Sequence, residues 1–278
     1  MSAQEQKSGS LFKRVMVALV FGPVIIWIFW SKGIALYAFA TSIALIGQWE
    51  LYRMLGGKLR GSHRIAGYLS GLLIIADAYF LSSVHLTLII ISALMIYFLI
   101  EIIDGKSDKF GHITVSLMAT VYPALFLSFL VNIERIGTSV IGEQSGFILL
   151  YILLVIWMFD TASYFAGRFF GKRRFFPSVS PKKTVEGFIG GLTGVLCFGV
   201  IVALAADTSY MFHYITIAVI TALSAQAGDL SESVIKRDLG IKDSSNIIPG
   251  HGGILDRFDS LIFASPAVYF YLLIYSNC

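Results

Sequence analysis

The chain has 278 residues, 56% of them hydrophobic and 14% charged, with a formal net charge of +4. Its mean hydropathy is +0.79. A soluble domain carries about 25% charged residues, so these figures exclude a disordered chain, a collagen-like chain and a small disulfide scaffold, and they argue against a soluble globule. The two cysteines, Cys197 in an apolar run and Cys278 at the end, make neither a disulfide framework nor a metal-ligand spacing.

A hydrocarbon core about 30 Å thick takes about 20 mainly apolar residues per helix. In chain order, nine such stretches are predicted: 15–30, 34–50, 65–81, 84–103, 113–131, 146–166, 185–206, 212–227 and 254–274. The expected class is all-α, a polytopic integral membrane protein of about nine helices. Ser31-Lys32-Gly33 separates the first two stretches, and Ser82-Ser83 the third and fourth. The first stretch follows Lys7, Lys13 and Arg14 in the manner of a signal peptide, but the small-residue tripeptide Ala38-Phe39-Ala40 lies inside the second stretch. An uncleaved first helix is therefore expected.

Alternate loops of nine spans fall on opposite sides. The N-terminal segment and the loops 51–64, 104–112, 167–184 and 228–257 hold 19 of the 21 Lys and Arg residues; Lys32 and Arg135 are the other two. Positive residues stay on the cytoplasmic side, so the N-terminus is expected inside and Cys278 outside. A charge within a span costs a few kcal/mol, about 2.5–3.5 at its centre, which makes the acids there informative. Asp160 lies in the sixth stretch, Asp229 and Glu232 follow the eighth, and Asp256 and Asp259 open the ninth. All five fall near cytoplasmic ends. Asp77, near the outer end of the third, reads as a paired or snorkelling acid. Residues 1–145 read as a transmembrane scaffold, and 146–278 as the catalytic region with its site on the cytoplasmic face. His63, His85, His112 and His213 are scattered and are assigned no catalytic part.

Three constellations carry the chemistry. The first is the loop Gly167-Arg168-Phe169-Phe170-Gly171-Lys172-Arg173-Arg174, continuing through Phe175-Phe176 to Ser180-Pro181-Lys182-Lys183-Thr184. Its six cations suit anionic headgroups, its aromatic pairs suit the membrane interface, and its end offers phosphate donors ahead of a helix. Gly187, Gly190, Gly191 and Gly194 then make a small-residue stripe for close helix packing. The second runs from Asp229 through Glu232 and Ser233 to Lys236 and Arg237; its two acids are i, i+3 and share a helix face. The third, Pro249-Gly250-His251-Gly252-Gly253 followed by Asp256-Arg257-Phe258-Asp259, places glycines beside a histidine just before a helix. A helix N-terminus suits phosphate, and carboxylates i, i+3 suit Mg²⁺ carrying substrate phosphates. Together these features suggest a metal-assisted reaction on a phosphate-bearing substrate at the membrane surface.

The run from Ser233 to Asp259, including Lys236-Arg237-Asp-Leu-Gly and Pro249-Gly-His-Gly-Gly-Ile-Leu-Asp256-Arg-Phe-Asp259, closely resembles the signature of the phosphatidate cytidylyltransferases, or CDP-diacylglycerol synthases. Trp157-Met-Phe-Asp160-Thr161, Ser180-Pro-Lys-Lys-Thr184-Val-Glu-Gly187 and Gly228-Asp229-Leu-Ser-Glu232 are also similar to that family. The resemblance covers about 100 of 278 residues; the first 145 match in hydrophobicity alone. It implies transfer of the CMP moiety of CTP to phosphatidic acid, giving CDP-diacylglycerol and pyrophosphate for phospholipid biosynthesis. It further implies dependence on Mg²⁺ or Mn²⁺, with room for a second cation, and a homodimer among membrane lipids with no nucleic-acid partner. On that basis Asp229, Asp256 and Asp259 are the expected cation ligands. Lys182, Lys183, Thr184, Lys236, Arg237 and Arg257 are expected at the CTP phosphates, His251 at the leaving group, and Asp160 at the nucleotide. Arg168, Lys172 and Arg173 are weaker candidates for the lipid phosphate. A CTP-dependent lipid kinase, releasing CDP, and a transporter are the rival classes.

Overall fold

The computed structural model describes residues 19–55, 59, 61–104, 109–141, 145–248 and 252–276. Among them, eight helical spans are long and apolar enough to cross a membrane, and a shorter apolar helix, α1 (Leu19–Ser31), precedes them. The others are α2 (Gly33–Met54), α3 (Gly61–Leu81), α4 (Leu86–Asp104), α5 (Lys109–Thr120), α6 (Phe126–Ile141), α7 (Ser145–Phe170), α8 (Val185–Ala205), α9 (Met211–Asp238) and α10 (Leu255–Ser276). This is an all-α polytopic membrane protein. The fifth predicted stretch is one span of two helices, because a π-turn at Val121–Leu125 carrying Pro123 joins α5 to α6. The eighth is longer than expected: α9 carries Asp229 and Glu232 within it.

The breaks between the early helices are made by left-handed backbone. Lys32 and Gly33 have φ of 50° and 55°, and Ser82 and Ser83 have 57° and 62°. Asp77 closes the second of these turns. Its carboxylate accepts the His85 backbone N–H at 3.0 Å and meets His85 Nδ1 at 3.1 Å. That contact gives Asp77 a structural role.

The chain forms two compact units: residues up to Val131 with Ile241–Phe258, and Asn132–Gly240 with Asp259 onward. In the first unit, α2 is the hub. It buries Leu36, Ala40, Ile43, Ala44, Gly47, Gln48, Glu50 and Leu51, a stripe at i, i+3, i+4 spacing. Gly47 allows close approach: a Cβ there would lie 2.9 Å from Leu255 Cδ2 and 3.3 Å from Pro123 Cβ. Phe39 meets Phe258 edge-on at 5.4 Å, so α2 takes the first turn of α10 along its length. Gln48 Nε2 donates to the Gly67 carbonyl at 2.9 Å and ties α2 to α3. A buried polar knot joins α3, α4 and α5: the Glu101 carboxylate lies 2.8 Å from both His63 Nε2 and His112 Nδ1, and His63 Nδ1 meets Ser116 Oγ at 2.9 Å.

The second unit is built on a close α7–α8 pair. Where the glycine stripe crosses α7, a Cβ on Gly187 would lie 2.9 Å from the Ser163 carbonyl and 3.2 Å from Gly167 Cα, and one on Gly194 would lie 2.7 Å from Ala162 Cβ. Backbone contact of this kind needs residues without side chains. Tyr151 donates to the Tyr214 carbonyl at 2.8 Å, tying α7 to α9. Between α7 and α8 the chain forms an antiparallel hairpin, β1 (Arg174–Phe176) and β2 (Ser180–Thr184), inside the loop 167–184. The aromatic pairs of that loop differ: Phe175 meets Phe176 edge-on at 4.5 Å and stacks on Phe188 at 4.8 Å, whereas Phe169 and Phe170 are both exposed.

Candidate active site

The second unit gathers the polar residues of α7, β2, α9 and the start of α10. Lys183, near the end of β2, forms an ion pair with Asp229 on α9. Burial pulls the Lys183 ammonium below the usual lysine pKa, while the carboxylates of Asp160 and Asp259 oppose that shift. Asp259 is buried, with Asp160, Lys236 and Lys183 as its charged neighbours. Lys236 donates to Glu232 one turn earlier at 2.6 Å, and both are buried. A buried ion pair of this kind is strongly destabilised by loss of one partner, because the other is left charged and unpaired. The result is a cluster of three aspartates and two lysines within one unit.

Local structure explains how these groups are aimed. Thr184 caps α8: its hydroxyl oxygen accepts the Gly187 N–H at 3.1 Å. Glu186 reaches back to accept the Lys172 N–H at 2.9 Å and the Arg173 N–H at 3.1 Å. These bonds fix both ends of the hairpin and hence Lys183. Gly228, just before Asp229, meets α10 directly: a Cβ there would lie 3.0 Å from both the Asp259 carbonyl carbon and Phe263 Cβ. Lys182 and Arg237 are exposed on this unit, and Arg237 Nε points at the Val179 carbonyl at 3.4 Å. Asp160 is exposed on α7.

The first unit holds the other predicted acid. Asp256 Oδ2 accepts the Ser244 N–H at 2.9 Å, the Ser244 hydroxyl at 2.9 Å and the Gly253 N–H at 2.8 Å. Arg257 beside it is exposed. Pro249, Gly250 and His251 lie outside the described residues. Three N–H groups at the start of α10, where sequence reading expects a phosphate, donate to the protein's own carboxylates. Gly253 donates to Asp256, and Ile254 and Leu255 each donate to Glu50 of α2 at 2.8 Å. Glu50 also accepts the Ser244 and Ser245 hydroxyls. It is fully buried and was not among the predicted residues. Its partners stand 194 to 205 positions away in the chain, so no local spacing announces it.

The donors suit a hard divalent cation in kind, since all are carboxylate oxygens. Among the described residues, no group of three or more His, Cys, Asp or Glu stands close enough to hold a metal ion. Asp229 carries the Lys183 ammonium in that position instead. The arrangement brings ammonium groups and carboxylates together in one unit.

Membrane-spanning helices that gather paired lysines and aspartates are the frame of an integral membrane enzyme. The sequence profile of the cytidylyltransferase family matches residues 12–275. A phosphatidate cytidylyltransferase of Staphylococcus haemolyticus is 32% identical over 264 residues, covering 93% of this chain and 96% of that one. One of Bacillus subtilis is 36% identical over 198 residues, 70% of each chain. One of Brucella suis is 29% identical over 272 residues, 96% of this chain and 95% of that one. The chain belongs to the cytidylyltransferase family.

Proposed function

We propose that the protein transfers the CMP moiety of CTP to phosphatidic acid, giving CDP-diacylglycerol and pyrophosphate for phospholipid biosynthesis. The observation that carries this reading is the Lys183–Asp229 pair with Asp160, Asp259 and Lys236 around it, at the end of a membrane-spanning bundle, in a chain of this family. An oxygen of the lipid phosphate attacks the α-phosphorus of CTP in line. The new P–O bond forms as the bond to the β-phosphate breaks, and pyrophosphate leaves with that electron pair. The lipid phosphate is already anionic, so no base has to deprotonate it; positioning and charge neutralisation supply the acceleration.

In this reading Lys183 exchanges its bond to Asp229 for a phosphate oxygen of CTP. Lys182, Lys236, Arg237 and Arg257 hold further phosphate oxygens, Thr184 keeps β2 and α8 in register at the nucleotide, and Asp160 orients it. His251 steadies the departing pyrophosphate. Divalent-cation binding is assigned to Asp229, Asp256 and Asp259, with Mg²⁺ or Mn²⁺ as the ion. Such an ion neutralises the polyphosphate and the developing charge when bound. The protein is assigned to the bacterial inner membrane and acts as a homodimer; a cytoplasmic site is supported by the loops 51–64, 104–112, 167–184 and 228–257, which hold 16 of the 21 Lys and Arg residues.

The test uses purified protein in detergent with phosphatidic acid, Mg²⁺ and CTP labelled at the α- or the γ-phosphate. Label from the α position in the lipid, with pyrophosphate released, is expected. Label from the γ position would mean kinase chemistry and would overturn the reading.

A further inference from the structure

We infer that Glu50, on α2 in the segment read as scaffold, is a positioning residue of the reaction, acting through Ser244 on Asp256. The inference rests on the cytidylyl-transfer reading. Glu50 is fully buried, and its two carboxylate oxygens divide four donors between them: Oε1 takes the Ser245 hydroxyl and the Ile254 N–H, and Oε2 takes the Ser244 hydroxyl and the Leu255 N–H. Ser244 is shared, because the same hydroxyl and its own N–H also reach Asp256 Oδ2. Glu50 and Asp256 are therefore two ends of one hydrogen-bonded chain through Ser244.

Glu50 stands where α10 begins, so the first-turn N–H groups and the positive end of the helix dipole face it. A carboxylate is the group that satisfies them while accepting both hydroxyls, since it is an acceptor at every lone pair. A Gln amide offers one acceptor oxygen and turns an NH₂ group against donors. Gly253 makes the approach possible: a Cβ there would collide with Ser244 Oγ and with the Glu50 carboxylate. Gly47, one turn before Glu50, lets α2 come close enough to Leu255 for the side chain to reach.

The experiment compares Glu50→Gln, Glu50→Asp and Ser245→Ala in the full-length purified protein. It measures kcat, the KM for CTP, the Mg²⁺ concentration for half-maximal activity, the thermal midpoint in detergent, and backbone amide exchange at Gly253, Ile254 and Leu255. Glu50→Gln is expected to lower kcat at least tenfold, raise the half-maximal Mg²⁺ concentration and speed exchange at those three amides, with the KM for CTP changed less than threefold. Glu50→Asp restores part of kcat. Ser245→Ala, which deletes one donor and leaves the carboxylate, shifts the same quantities in the same direction by less, and decides the matter if Glu50→Gln does not fold. Wild-type kcat and Mg²⁺ dependence in folded Glu50→Gln overturns the inference. So does a loss of activity matched only by loss of folded protein across the three variants. If the wild-type protein transfers no cytidylyl group, the functional reading fails by itself, while the exchange rates still report whether Glu50 holds the loop.

Discussion

Replacing Lys183 by Met separates a catalytic role for its ammonium from a structural one by magnitude alone. The side chains of Lys183 and Asp229 are 30% and 35% exposed, so solvent reaches their ion pair although burial still lowers the Lys183 pKa. Pairs at such exposure contribute about 0–1 kcal/mol to stability. Lys183→Met keeps the aliphatic stem and removes only the charge, so unfolding in detergent should shift by no more than about 1 kcal/mol. A hydrogen bond from the ammonium to a CTP phosphate is worth far more, about 1.5–3 kcal/mol for a bond to a charged group. At 1.4 kcal/mol per tenfold, that becomes a loss in kcat/KM for CTP of about 10- to 150-fold. The assay is steady-state release of pyrophosphate at varied CTP, beside a thermal melt of the same preparation. If kcat/KM is unchanged while the melting point drops, Lys183 is a structural partner of Asp229 and the reasoning is refuted.

The remaining predictions concern the same groups and their supports. Burial lowers the Lys183 pKa, so activity should fall as pH rises through that lowered value; Lys183→Arg, whose guanidinium stays charged above pH 12, should move the alkaline limb to higher pH, and coinciding limbs would rule out Lys183 as its source. Asp256→Asn retains an oxygen for Ser244 and Gly253 but loses the charge; turnover should vanish while protein level and melting point hold, and normal activity would sink its assignment as a cation ligand. Gly187→Val forces a branched side chain between the Ser163 carbonyl and Gly167 and should destabilise the protein by about 1–3 kcal/mol, read as a lower thermal midpoint.

The spans were legible because an apolar run of membrane length has few other uses. The turns at Lys32-Gly33 and Ser82-Ser83 were legible for a related reason: small or polar residues interrupt two such runs, and the backbone there is left-handed. The glycine stripe on α8 was also readable, since its spacing implies a close neighbour, although that neighbour was not named. The β1–β2 hairpin was hidden by its charge, which reads equally well as a solvated loop. The polar knot of His63, Glu101 and His112 was hidden by dispersal, because each residue alone looks like a loop or span-edge group. Glu50 closes the second apolar stretch, where an acid is easily explained by proximity to water. Its burial follows from α2 packing on the start of α10 through Gly47, Leu255 and Phe258, contacts between residues about 200 positions apart that a linear reading does not join.

Gly228 sets the spacing between Asp229 and Asp259 by backbone rather than by side-chain packing, since its Cα faces the Asp259 carbonyl with no room for a methyl group. A distance fixed in this way behaves as a ruler. Any side chain at position 228 therefore acts on both carboxylates at once, through the main chain that carries them rather than through their own contacts.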